Sequence, residues 1–244
     1  MTDYPQVPPT RAELVRMNLE QLIAIMPDRR RNIIMRIYKD HQDLFDTNPG
    51  SSHNHQAWPG GLADHYADLL RTSWTDYADE LAWAEAYNAE LPFTLGPAQV
   101  ALFGHDAEKV VVYGKKDDPR CAPFIAMHEA PSDKATKEGI KWHVLKHWEN
   151  TYGLVLDDAE INAVKYTHGE GDDYRNDRRI MNELAAFVGN CDRGSARIRH
   201  RMGRGLGVFP PCRFDARYLL RRKVKLNFPH ERNRPSGGFF KAFA

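Results

Sequence analysis

Cysteine is scarce. Cys121, Cys191 and Cys212 lie far apart with no CxxC spacing, which argues against a disulfide framework and a cysteine-rich zinc module and suits a reducing compartment. Excess charge is missing too: 34 Lys and Arg balance 33 Asp and Glu, so the net charge of +1 excludes a uniformly basic or acidic binding protein. No run of about eighteen apolar residues occurs, and the opening MTDYPQVPPTRAEL lacks a basic segment followed by an apolar one. Neither membrane insertion nor export is expected, and the expected location is cytoplasmic. Strand signals are thin, with β-branched and aromatic residues alternating only at 110–113 and 223–226. What is present is apolar material: 42% hydrophobic residues over 244 positions are enough for a sizeable core and speak against a largely disordered chain.

Charge is unevenly placed. Residues 193–244 hold 14 Lys and Arg against 2 acidic residues, a local +12, while residues 1–192 hold 20 against 31, or −11. The first 192 residues read as helical. Apolar residues recur at three- and four-residue spacing in Leu14, Met17, Leu19 and Ile23, and again in Ile33, Ile34, Ile37 and Tyr38, with a break at Pro27 and Asp28. A long helix is expected over about 62–89 and another from about Pro97, where proline suits a first turn. Further helices are expected near 134–151, 157–166 and 178–190. The Gly-, Pro-, Ser- and Asp-rich stretches 48–61 and 113–132 read as loops. The fold class is therefore mostly α, a helical bundle with an irregular basic C-terminal tail. Its expected divisions are N-terminal helices over 1–47, a core over 48–200 and a basic extension over 201–244, with one short helix- or strand-like stretch at 218–228.

Five metal-ligating elements follow in order: His65 in GGLADH, His105-Asp106 in LFGHDAEK, His143 in GIKWHVLK, His168 in KYTHGEG and Asp192 in GNCDRGS. Imidazole with carboxylate suits manganese, iron, cobalt, nickel or zinc better than calcium, which prefers an all-oxygen shell. The intervals between them are too long for one local motif. Each element must come from a different helix or helix end, which is how a helical bundle builds a metal site in its core.

In motif order over roughly residues 30–200, the chain resembles the HD superfamily of metal-dependent phosphohydrolases. PGGLADH is similar to the family's Gly-Gly-Leu-x-x-His helix start, LFGHDAEK to its His-Asp-x-x-Lys signature, and Asp192 to its closing aspartate. HNHQAW and the histidines at 143 and 168 resemble most the two-metal branch containing 3′-to-5′ exoribonucleases, CRISPR-associated HD nucleases and cyclic-dinucleotide phosphodiesterases. The resemblance implies a first metal on His65, His105, Asp106 and Asp192, and a second completed by His143 and His168 with Asp106 bridging. Either one or two divalent ions are implied, with magnesium also compatible. Two such cations clamp a phosphate and activate a water near neutral pH. Asp106 and Lys109 would be catalytic, Lys109 presenting a cation to the phosphate from one turn beyond Asp106. The two-metal branch often has two successive histidines where this chain has Thr167-His168, and the single-metal branch often has a glutamate in place of Lys109; Glu108 stands one position off and is not assigned as the general acid.

Residues outside those motifs complete the reading. His53 and His55 precede the first ligand in a loop, and His55 is placed at the substrate mouth. Arg175 and Arg178, with Arg179, either meet phosphate or pair with Asp172, Asp173 and Asp177. Gly60 and Gly61 form the turn that delivers His65. The expected activity is hydrolysis of a phosphoester or phosphoanhydride bond in a nucleotide. A 3′-to-5′ exonuclease or cyclic-dinucleotide phosphodiesterase on the same site is the alternative, and a single-stranded nucleic-acid substrate fits the arginines interleaved with Phe and Gly in the tail. A nucleic-acid-binding protein with a structural metal site is the alternative of another class. Oligomerisation is left open, because the tail suits docking on its own domain or a second subunit as well as it suits nucleic acid.

Overall fold

A computed structural model describes residues 8–129 and 137–199, and everything below concerns those residues. The chain divides into the units Met1–Cys212 and Arg213–Ala244, and all described residues lie in the first. They are mostly helical and contain no strand. The tail, with the stretches at 218–228 and 223–226, falls outside them.

Two short helices open the described chain, α1 (Arg11–Arg16) and α2 (Leu19–Ala24), each started by a reciprocal cap: Thr10 with Glu13, and Asn18 with Gln21. The break at Pro27 and Asp28 leads into α3 (Arg31–Asp40) and α4 (Gln42–Thr47). Arg30 at this break is held by Asp28 and reaches Glu160, whose Oε2 lies 2.6 Å from its Nη1. Glu160 also caps α10 (Asp158–Tyr166) together with Asp157, so a single buried carboxylate ties the N-terminal helices to a late one.

The bundle is organised around α5 (Gly61–Ala86) and α6 (Leu95–Gly104). From Leu95 to Gly104 nearly every residue of α6 is buried, with Pro97 in its first turn; a helix apolar on all sides has to lie inside. The first half of α5 is buried, whereas its last turns expose Leu81, Trp83 and Tyr87. Around these pack α7 (Ala107–Val112), α8 (Ala122–Glu129), α9 (Lys137–Tyr152) and α11 (Glu183–Gly194), the last running into a π-helical turn, Ser195–Arg199. No helix among the described residues is long and apolar enough to cross a membrane.

Three expectations need correction. Val110 and Val111 lie in α7, not in a strand: both are buried against the core, and packing decides the state of a short β-branched run. The stretch 113–132 is not one loop, because α8 forms inside it around the buried Ile125. The helix expected from 178 begins at Glu183, because Asn182 caps it by accepting from the Ala185 N–H at 2.7 Å.

Four aromatic side chains lock the helices that matter most for the site. Phe45 and Phe103 meet Tyr66 at 5.3 and 5.4 Å between ring centroids, and Phe103 meets Trp148 at 5.6 Å. The Tyr66 hydroxyl donates to the Phe103 carbonyl at 3.2 Å. Tyr66 follows His65 directly and Phe103 precedes His105 by two, so this cluster fixes the backbone on both sides. Phe103→Ala is expected to cost about 3–5 kcal/mol of stability, read by denaturant unfolding; a loss below about 1 kcal/mol would show that α5 and α6 do not depend on this packing.

Candidate metal centre

His65 reaches the interior through a tight knuckle. Gly60 has φ of 78°, in the left-handed region, and a Cβ on Gly61 would stand 1.8 Å from the Gln56 carbonyl oxygen. The glycine pair is therefore required by backbone approach, and it sets the start of α5 so that His65, in its second turn, is fully buried. His105 and Asp106 come from the junction where α6 ends and α7 begins. Asp106 has φ −119° and ψ 26°, a non-helical break that lets two consecutive side chains face one point. Asp192 comes from the last turn of α11.

These four residues converge. His65, His105, Asp106 and Asp192 are all buried, and one ligand atom from each lies within 4.8 Å of all the others, so the group can hold a metal ion. Asp106 Oδ2 lies 3.2 Å from His65 Nε2 and 3.1 Å from His105 Nε2; Asp192 Oδ1 lies 3.5 and 3.7 Å from the same two nitrogens. Both Nε2 atoms are sealed from solvent and make no hydrogen bond. Two buried imidazole nitrogens left without partners beside two carboxylates are the donor set a transition metal uses.

The other ring nitrogens explain this orientation. His105 Nδ1 lies 2.7 Å from the Leu102 carbonyl, which only accepts, so Nδ1 carries a proton and Nε2 is the nitrogen that can ligate once it is deprotonated. His65 Nδ1 lies 3.1 Å from Ser195 Oγ. The Ser195 hydroxyl is bonded to Asp68 and receives the Gln56 amide at 3.2 Å, so it donates to the carboxylate and accepts from His65. Ser195 and Asp68 thus hold His65 with its lone pair inward, the carboxylate-backed arrangement that orients ligating histidines. Neither residue was identified in the sequence, although each stands three residues beyond a ligand.

Charge is concentrated here. Lys109 Nζ sits 2.5 Å from Asp106 Oδ2, so the cation expected to face a phosphate is engaged by the ligand carboxylate. Burial raises the cost of ionising Asp106, yet His105 and Lys109 hold it well below the ordinary carboxylate range. Asp192 is likewise held down, against burial, by His105 and His168. Burial disfavours a proton on His105, but Asp106 and Asp192 outweigh it and raise the group to about 10. Glu108 goes the other way: burial first and the Asp106 charge second push it up to about 7, and its Oε2 has no partner.

The remaining sequence candidates divide. His55 does approach: its ring lies 5.3 Å from that of His65, its Nε2 is buried without a partner, and burial with the neighbouring His65 and Lys109 lowers it to about 4. His168 sits at the outer edge, two-thirds exposed, with Nε2 3.4 Å from Asp192 Oδ2. Asp192 therefore faces the inner histidines with one oxygen and His168 with the other, the position in which Asp106 was expected. His143 lies on an exposed face of α9, outside the four-residue group. Arg175 and Arg178 line surface clefts to which none of the four contributes.

Comparison of the chain with protein-family models, with curated proteins and with solved structures finds no match.

Two outcomes follow from the geometry. Because His105 is protonated at neutral pH in the metal-free chain and must be neutral to ligate, binding Mn²⁺ or Zn²⁺ is expected to release about one proton per ion. Affinity should rise with pH up to about 10. Calorimetric titration in buffers of differing ionisation enthalpy measures this, and a proton count near zero would contradict the ligand role of His105. Ser195→Ala should weaken metal binding by about tenfold or more, with the helical content by circular dichroism unchanged.

Proposed function

We propose that this chain is a metal-dependent phosphohydrolase that cleaves a phosphoester or phosphoanhydride bond of a nucleotide with an activated water. The observation that carries the reading is the convergence of His65, His105, Asp106 and Asp192, with two unpartnered, solvent-sealed Nε2 atoms, at one buried point. The same residues carry the resemblance to the HD superfamily, and the all-helical surroundings agree with it.

His65, His105, Asp106 and Asp192 would hold the ion, with manganese, iron, cobalt, nickel or zinc favoured by the mixed nitrogen and oxygen set. A bound divalent ion supplies Lewis acidity, neutralising phosphate oxygens and lowering the pKa of water. The chain's own residues do the rest. Ser195 and Leu102 orient the two imidazoles. Lys109, which pairs with Asp106 in the structure, would present its ammonium to a phosphate oxygen once that carboxylate held an ion. His55 and His168 flank the buried group. A second ion would rest on His168 and Asp192, with His143 required to turn inward from α9.

The acidic body favours a free nucleotide, and the +12 over residues 193–244 favours a single strand held by its backbone. Product release from ribo- and deoxynucleotides, cyclic dinucleotides and single-stranded oligonucleotides with added manganese tells these apart. Asp106→Ala should lower the rate by about 10²–10³-fold or more, the scale on which loss of one preorganised electrostatic contact is felt. Hydrolysis retained in that variant would remove the phosphohydrolase reading, and metal binding without turnover of any substrate would move the weight to a structural metal in a nucleic-acid-binding protein.

A further inference from the structure

The arginines after His168 belong to a place of their own. A cleft of about 520 Å³ opens between the end of α5, the segment leading into α6, the segment 170–182 and one face of α11. This volume lies within the range of small-molecule sites. Its base is aromatic: Phe93 and Phe187 pack at 5.2 Å, with Tyr77 behind them at 6.1 and 6.3 Å, and Leu91 and Met181 continue the apolar wall.

The rim carries three arginines, Arg175, Arg178 and Arg179, beside three glutamates, Glu80, Glu170 and Glu183. Arg179 is taken by Glu183 at 2.8 Å. Arg175 donates only to backbone carbonyls, those of Tyr174 and Asp172, at 2.9 and 3.3 Å. Arg178 makes no ion pair among the described residues. Of the nearby acids, Asp173 pairs with Lys165 at 2.7 Å, and Glu170 accepts the N–H groups of Ile180 and Met181. Arg175 and Arg178 therefore line the same cleft as Phe93 and Phe187 with no ion pair among the described residues to hold them. Glu80, also in the lining, supplies a carboxylate of the kind that accepts from ribose hydroxyls.

The cleft is separate from the metal centre. It uses Glu183, Ala186, Phe187 and Asn190, one stripe of α11; Asp192 is five residues past Phe187, about 140° around the helix. Glu80 is fifteen residues beyond His65 on the unbroken α5, about 22 Å along its axis.

We propose that this cleft is a second ligand site, holding a nucleoside phosphate with the base on Phe93 and Phe187 and the phosphate on Arg175 and Arg178. It stands independently of the hydrolytic reading, because none of its residues holds the metal. The test is equilibrium binding of ATP to the full chain in EDTA, for wild type, Asp106→Ala and the double variant Arg175→Ala/Arg178→Ala. Both arginines are exposed, so the double variant should fold as wild type. Wild type and Asp106→Ala should bind alike without metal, and the double variant about tenfold or more weaker, as expected for the loss of charge-assisted bonds. No saturable binding in EDTA, or binding untouched by the double variant, would overturn the site. Competition by tripolyphosphate as effective as that by ATP would overturn the role of the aromatic floor. Metal-dependent hydrolysis is measured separately on wild type, so failure here leaves the reading of the metal centre standing, and failure there leaves this one.

Discussion

The Asp106 carboxylate is the constraint around which the bundle is arranged. It is almost entirely buried and ionised, a state that costs several kcal/mol unless the charge is met by nearby cations and donors. Lys109 meets it from one turn along α7 and His105 from the preceding residue, with His65 brought alongside from α5. Bringing His65 there requires the knuckle at Gly60 and Gly61, and bringing Asp192 alongside requires α11 to run past the α6–α7 junction. The aromatic cluster of Phe45, Tyr66, Phe103 and Trp148 stabilises the same helices from the dry side. The core and the centre are thus two faces of one packing solution. The charge is tolerated because the core holds its partners still.

The two proposed sites differ in the medium that surrounds them. At the metal centre the ligand atoms are withdrawn from water, so each charge acts strongly on its neighbours, and the displaced pKa values of His105 and Glu108 follow. At the arginine-rimmed cleft the cations face solvent, and recognition there depends on the fork geometry of guanidinium and on apolar area instead of raw field. An acid or base for chemistry belongs in the first kind of place. A contact that only holds belongs in the second.

Much of this was legible in the sequence, for identifiable reasons. Three- and four-residue periodicity announces the helices, and the ordered His and Asp positions include the four residues that converge, together with His143 and His168, which lie outside that group. The misreadings are equally physical. Val110 and Val111 carry a strand preference that burial overrides, and the stretch around Ile125 is loop-like in composition but has a core to cover. Arg175 and Arg178 stand close to His168 in sequence, yet the segment after Gly169, with φ of 102°, leads to another face. Ser195 and Asp68 were missed because a serine and an aspartate on a helix carry no signal until the histidine they orient is known.

Spacing ties these observations together. His65 is followed at three residues by Asp68, Asp106 by Lys109, and Asp192 by Ser195. Each helix thus carries a ligand and, one turn further on, a residue that steadies the centre, in register before the helices meet. The centre is assembled from prefabricated parts by docking rigid rods. One residue gained or lost inside any of the three turns rotates one member of the pair by about 100° and takes apart its share of the centre.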